Sequence, residues 1–157
     1  MKTKLCCDVI RILQGKTLVT AESLTGGGIG HALTSVSGSS AVYKGGIISY
    51  TNQVKNQILG VPAEMLEQWG AVSQPVAQAM AEGARKLLQA DVAVSVTGLA
   101  GPGGDEYGNP VGTVFIGFAD EHRTVVKHCL FSGDREQVRN QTIEEALALI
   151  LAHIQQI

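Results

Sequence analysis

Apolar positions along the chain follow two spacings, and the places where one gives way to the other outline the elements. Leu5, Val9, Ile12 and Leu13 fall on one helical face over 4–14, and Gly15 closes that helix. The segment 17–22, Thr-Leu-Val-Thr-Ala-Glu, reads as a buried strand. Ser23, Thr25 and three glycines follow as a turn, and an apolar helix runs on to about Leu33. Residues 38–41 read as a loop, 46–50 (Gly-Ile-Ile-Ser-Tyr) as a second strand, and 53–59 as a short helix closed by Gly60. Pro62 fits the first turn of another helix over 62–68. Ser73 is placed to cap a long helix over 74–89, with Pro75 just inside its start.

The continuous apolar run at 91–97 predicts a strand buried on both faces. Residues 98–112 hold six glycines and two prolines and read as one long loop, a kind that is usually functional inside a compact domain. Strands at 112–119 and 124–131 flank the polar tetrapeptide Asp-Glu-His-Arg, which predicts a hairpin. Asp134 and Gln137 have the spacing of a capping box at the head of a helix reaching Ile154. This order predicts an α/β protein, a three-layer α/β/α sandwich with a mixed, mostly parallel sheet, forming a single domain over 1–157. The hairpin makes at least one strand pair antiparallel.

Composition narrows the function classes. The net charge is −2, no Lys/Arg run occurs and only 4% of residues are aromatic, which argues against a nucleic-acid partner. Cys6, Cys7 and Cys129 are odd in number and form no C-x-x-C, which argues against a disulfide framework or a zinc site. Asp8 interrupts what a signal peptide would need as its apolar core, and no apolar run reaches the length of a membrane span. A soluble, cytoplasmic protein without a membrane partner is expected.

Four groups of residues carry candidate chemistry. Glu22, Ser23, Thr25, Gly26 and Gly27 lie where a strand gives way to a helix, so unpaired N–H groups there suit an anion or an oxyanion. No Lys-Ser or Lys-Thr follows the glycines, and His31 stands where the dinucleotide fingerprint needs its last glycine. Ser40, Tyr50 and Lys55 could serve as nucleophile, proton relay and base, because a desolvated lysine can take a serine proton. Thr97 and Gly98 sit at the end of a buried strand, the usual ligand edge of such a sheet. Arg135 and Arg139 share a face in the first turns of the last helix, where a bound phosphate would offset their unfavourable interaction with the helix dipole. Each group also has a plain structural reading: caps, an exposed lysine, a surface loop, a surface ion pair. His31, His122, His128 and His153 show no metal-ligand spacing, so neither metal nor cofactor is expected.

Together the segments are more specific than any one of them. Ala-Glu-Ser-Leu-Thr-Gly-Gly at 21–27, Gly-Ser-Ser-Ala at 38–41, Ser-Tyr-Thr-Asn-Gln-Val-Lys at 49–55, Gly-Ala-Val-Ser at 70–73, Ser-Val-Thr-Gly-Leu-Ala-Gly-Pro-Gly-Gly at 95–104, Pro-Val-Gly-Thr-Val at 110–114 and Phe-Ser-Gly-Asp-Arg at 131–135 occur in order. In this the chain closely resembles the CinA C-terminal domain family, and the likeness runs from the first helix to the last. Free-standing enzymatic members of that family are nicotinamide-nucleotide amidohydrolases. The resemblance implies hydrolysis of the carboxamide of nicotinamide mononucleotide, a small-molecule nucleotide substrate, and a homodimer. The rival reading is an inactive nucleotide-binding or competence-associated module. The resemblance makes Ser40, Tyr50 and Lys55 the catalytic candidates and sets Ser23, Thr97, Arg135 and Arg139 around the ligand. Ser23, on the sharper strand–helix turn, remains a rival nucleophile. Leu24 stands where many relatives have cysteine, which speaks against a thiol nucleophile. Longer relatives carry an N-terminal domain resembling molybdopterin-binding proteins, and activities belonging to it are not expected here.

Overall fold

A computed structural model describes residues 1–154. Its elements run α1 (Lys2–Ile12), β1 (Leu18–Glu22), α2 (Gly28–Thr34), a single 3-10 turn (Ser39–Ala41), β2 (Tyr43–Ile48), α3 (Asn52–Gln57), α4 (Ala63–Trp69), α5 (Gln74–Leu88), β3 (Val92–Gly98), β4 (Thr113–Ala119), β5 (Thr124–Leu130) and α6 (Arg135–Ile154). The strands form one sheet in the order β2-β1-β3-β4-β5. β1 pairs in parallel with β2 and β3, whereas β4 is antiparallel to both β3 and β5. Four strands therefore point one way and β4 alone is reversed, so the sheet is mixed as the hairpin required.

Side-chain alternation divides the core into two layers. Leu18, Val92, Val94 and Val96 pack with residues of α1, α2 and α6 on one face. Val19, Ala21 and Ala93 pack with Val76, Met80 and Ala84 of α5 on the other. Helix α5 sits close to the sheet because the positions beneath it are small. Ser95 Oγ donates to Ala77 O at 2.6 Å, and a Cβ on Gly117 would come within 2.8 Å of that same carbonyl oxygen.

Two expectations change in detail. Strand β2 starts at Tyr43, not 46, because Gly45 and Gly46 belong to it instead of bounding it. Any Cβ at Gly46 would lie 2.2 Å from Thr20 Oγ1, so only glycine lets the two strands approach there. Ser73 does precede α5, but its hydroxyl turns back to Gly70 O at 2.9 Å and caps nothing. The capping box of α6 forms as expected: Asp134 Oδ1 accepts from Gln137 N and Gln137 Oε1 accepts from Asp134 N, at 2.9 and 2.8 Å.

The connectivity fixes where a ligand fits. The chain leaves β1 through α2 on one face to reach β2, then returns through α3, α4 and α5 to β3 on the other side of β1. The connections diverge from β1, which opens a crevice at the C-terminal ends of β1 and β3.

Candidate active site

Ser23 is the first residue past β1, and its N–H still donates to Val96 O of β3 at 3.1 Å. Its hydroxyl therefore stands at the floor of the crevice. Thr51 caps α3, its Oγ1 accepting from Val54 N at 3.3 Å. That start places Lys55 one turn into the helix and aims it inward. Lys55 Nζ lies 3.0 Å from Ser23 Oγ, 2.8 Å from Ser49 O and 3.3 Å from Tyr50 O. Lys55 is only 1% exposed and Ser23 only 7%.

Among the described residues Lys55 has no carboxylate within ion-pair distance. Removing an ammonium from water without a counter-charge favours its neutral form. Burial accordingly lowers the Lys55 pKa from 10.5 to about 8. Two carbonyls, Ser49 O and Tyr50 O, hold two of its N–H bonds. A neutral amine in this setting turns its lone pair to the third neighbour, the Ser23 hydroxyl.

The pair opens into a cleft of about 420 Å³. Ser23, Tyr50, Asn52, Thr97, Gly98 and Arg135 line it, with Leu99, Ala100, Gly101 and Gly103 along the glycine-rich loop. Thr97 Oγ1 donates to Ala71 O at 2.8 Å, which leaves its oxygen free to accept from a ligand. Tyr50 is 59% exposed at the rim. Arg135 crosses the mouth, with Nη1 donating to Gly101 O at 2.6 Å and Nη2 to Tyr50 Oη at 3.2 Å.

Several sequence candidates lie elsewhere. Ser40 is exposed in the 3-10 turn that leads into β2. Since β2 runs parallel to β1, that turn is at the opposite end of the sheet from Ser23, about 16 Å away for five residues of strand. Ser40 and Lys55 therefore do not form a pair, and the serine beside the lysine is Ser23. Thr25 faces inward, its Oγ1 donating to Glu22 Oε1 at 2.6 Å. Gly26 and Gly27, with φ of +59° and +98°, shape the turn without lining the cleft. Arg139 spends its guanidinium on the turn itself, Nε donating to Leu24 O at 2.9 Å and Nη2 to Thr25 O at 3.2 Å.

The sequence places Glu22 in the turn without assigning it a role of its own, and it does not single out Asn52. Glu22, buried at the end of β1, accepts from Ile29 N at 2.8 Å and Gly30 N at 3.0 Å and so anchors the head of α2. A single acid ending an apolar strand just before a helix was the available signal. Asn52 reaches the cleft because Thr51 starts α3 one residue earlier than the apolar pattern suggested.

Fold and cleft together define an α/β/α sandwich with a buried serine–lysine pair at its switch point and an arginine across the mouth. The chain belongs to the CinA C-terminal domain family, whose profile matches residues 3–154. It is 50% identical over 133 residues to a CinA-like protein of Geotalea daltonii, covering 85% of this chain and 32% of that protein. The chain spans about a third of the length of the curated relatives it matches. The crystal structure of a competence-damaged protein (CinA) superfamily protein from Klebsiella pneumoniae 700603 superposes with a TM-score of 0.97 at 33% identity, over 100% of this chain and 99% of that one. The competence/damage inducible protein CihA of Agrobacterium tumefaciens is 38% identical with a TM-score of 0.93, over 96% of this chain and 94% of that one.

Proposed function

We propose that the chain hydrolyses the carboxamide of nicotinamide mononucleotide to nicotinic acid mononucleotide and ammonia, with Ser23 as nucleophile and Lys55 as its base. The observation that carries this reading is the 3.0 Å contact between a buried, uncompensated lysine amine and the one serine at the floor of the cleft. An exposed lysine could not hold a neutral amine near pH 7, and a paired one would have no reason to lose its proton.

In the first step neutral Lys55 removes the Ser23 proton as Oγ attacks the carboxamide carbon. Charge builds on the carboxamide oxygen, and N–H groups of the turn after Ser23 are the donors suited to hold it. The C–N bond then breaks while the Lys55 ammonium returns its proton to the departing nitrogen. Ammonia leaves, and the pyridine carboxyl stays as an ester on Ser23. In the second step Lys55 takes a proton from water, hydroxide attacks the ester, and Ser23 recovers its proton. Tyr50 serves as a hydrogen-bond donor at the rim. Thr97 accepts from the carboxamide N–H.

The nucleotide phosphate belongs at Arg135. The N-terminus of α6 contributes less than the sequence suggested, because Asp134 already occupies the Gln137 N–H. Arg139, turned to the carbonyls of Leu24 and Thr25, positions the nucleophile turn and does not bind phosphate.

The test is ammonia release from nicotinamide mononucleotide by purified protein in the presence of a chelator. Turnover abolished by Ser23→Ala and by Lys55→Ala supports the reading. Tight binding of the nucleotide with no ammonia released would replace it with the nucleotide-binding module.

A further inference from the structure

The guanidinium of Arg135 ties together three parts of the chain: the head of α6, the glycine-rich loop through Gly101 O, and the β2–α3 connection through Tyr50 Oη. Arginine only donates, so Tyr50 Oη is the acceptor in this contact and its own hydrogen is left to donate elsewhere. Donation from a cation also polarises the phenol and makes it a stronger donor. Among the described residues this is the hydrogen bond of the exposed Tyr50 side chain, so the ring's aim depends on where Arg135 stands.

Arg135 itself is exposed and pairs with no carboxylate among the described residues. Of the five N–H groups of a guanidinium, two are used here and three remain. With one part-buried and one exposed hydrogen bond to hold it, such an exposed side chain retains rotamer freedom. A dianion on the free N–H groups would remove that freedom and fix the arginine against Gly101 and Tyr50.

We propose that Arg135 is a positioning residue that couples the phosphate to the chemistry: an anion bound at the mouth aligns Tyr50 over the reacting carboxamide, so the phosphate raises turnover and not only affinity. The proposal rests on the amide-hydrolysis reading above. Binding energy from a remote part of the substrate is thereby used at the reacting carbon.

The experiment supplies the substrate in two pieces. Nicotinamide riboside, which lacks the phosphate, is assayed for ammonia release with and without phosphite dianion, with chloride at equal ionic strength as the control. Wild-type protein should show kcat/KM for the riboside rising by about tenfold or more in phosphite. Arg135→Ala should lose that response because the anion has no anchor. Tyr50→Phe should lose it because the anchor has nothing to align, although the anion still binds. Exogenous guanidinium added to Arg135→Ala should restore part of the phosphite response. If the mononucleotide is hydrolysed but phosphite leaves riboside turnover unchanged or inhibits it, the coupling is overturned and the hydrolysis reading stands. If Tyr50→Phe is activated as strongly as wild type, Arg135 is a plain anchor and the coupling is likewise overturned. Failure to hydrolyse the mononucleotide itself removes both.

Discussion

Lys55 Nζ meets Ser23 Oγ at 3.0 Å across 32 residues of sequence, and both side chains are nearly sealed from solvent. The contact joins the end of a central strand to a six-residue helix. Neither element would need a lysine there for packing. An aliphatic side chain would fill the space without the cost of desolvating an amine, so the cost is retained for what the amine does.

That cost sets a stability prediction. The unfolded chain holds the Lys55 proton up to about 10.5 and the folded chain only to about 8, so the unfolded state binds more protons between those values. Stability should therefore rise as pH increases through that window and be lowest, by about 3 kcal/mol, below it. Lys55→Met should be more stable than wild type at pH 7, and its stability should not climb between pH 8 and 10. Urea unfolding at pH 7 and pH 9.5 measures both. A variant less stable than wild type at pH 7, with parallel pH dependence, would mean that the buried amine is not under strain.

On the proposed mechanism the same group sets the rate profile. A base must be unprotonated to act, so kcat/KM should rise about tenfold per pH unit below the Lys55 pKa and level off above about 8. Lys55→Arg keeps a cation that gives up no proton near neutrality and should lose activity as fully as Lys55→Ala. Substantial kcat in Lys55→Arg would leave this residue an electrostatic part only.

The two serines separate cleanly. Ser23→Ala should lower kcat by about three orders of magnitude or more, as loss of a nucleophile does in hydrolases with a serine and a base. Ser40→Ala should stay within about twofold of wild type, because an exposed turn residue at the far end of the sheet touches nothing in the cleft. Steady-state ammonia release by the two variants decides the matter, and the opposite ranking would return the role to Ser40.

Arg139 lies outside the cleft and holds the carbonyls of Leu24 and Thr25. On the proposed mechanism Arg139→Ala should loosen the turn that carries Ser23, lowering kcat about tenfold to a hundredfold with KM changed less than about threefold. A large KM increase confined to the phosphorylated substrate would instead make Arg139 a phosphate ligand.

Much of this was legible in the sequence, and the losses have physical causes. Among the described residues the pattern located each α-helix and strand, though it set the start of β2 three residues late and read the 3-10 turn as a loop, since buried runs such as 91–97 and the apolar stripe of α5 leave little choice. Lys55 could be nominated, as a lysine able to take a serine proton once desolvated and through the family resemblance. The resemblance puts Ser40 first as its partner with Ser23 as the rival, because both are serines in turns and only strand direction puts them at opposite ends of the sheet. Arg135 and Arg139 share a helical face, yet one crosses the mouth and the other turns to the Leu24 and Thr25 carbonyls. Spacing gives the face of a helix, and long-range packing decides what each side chain on it reaches.

The most direct test of the serine–lysine assignment is to look for the ester itself. Protein mixed with nicotinamide mononucleotide and quenched in acid within the first turnover can be digested and mapped by mass spectrometry. The expected result is the substrate's acyl group on the peptide carrying Ser23, absent after Ser23→Ala and after Lys55→Arg. An acyl group on the peptide carrying Ser40, or full turnover by Ser23→Ala, would contradict the assignment.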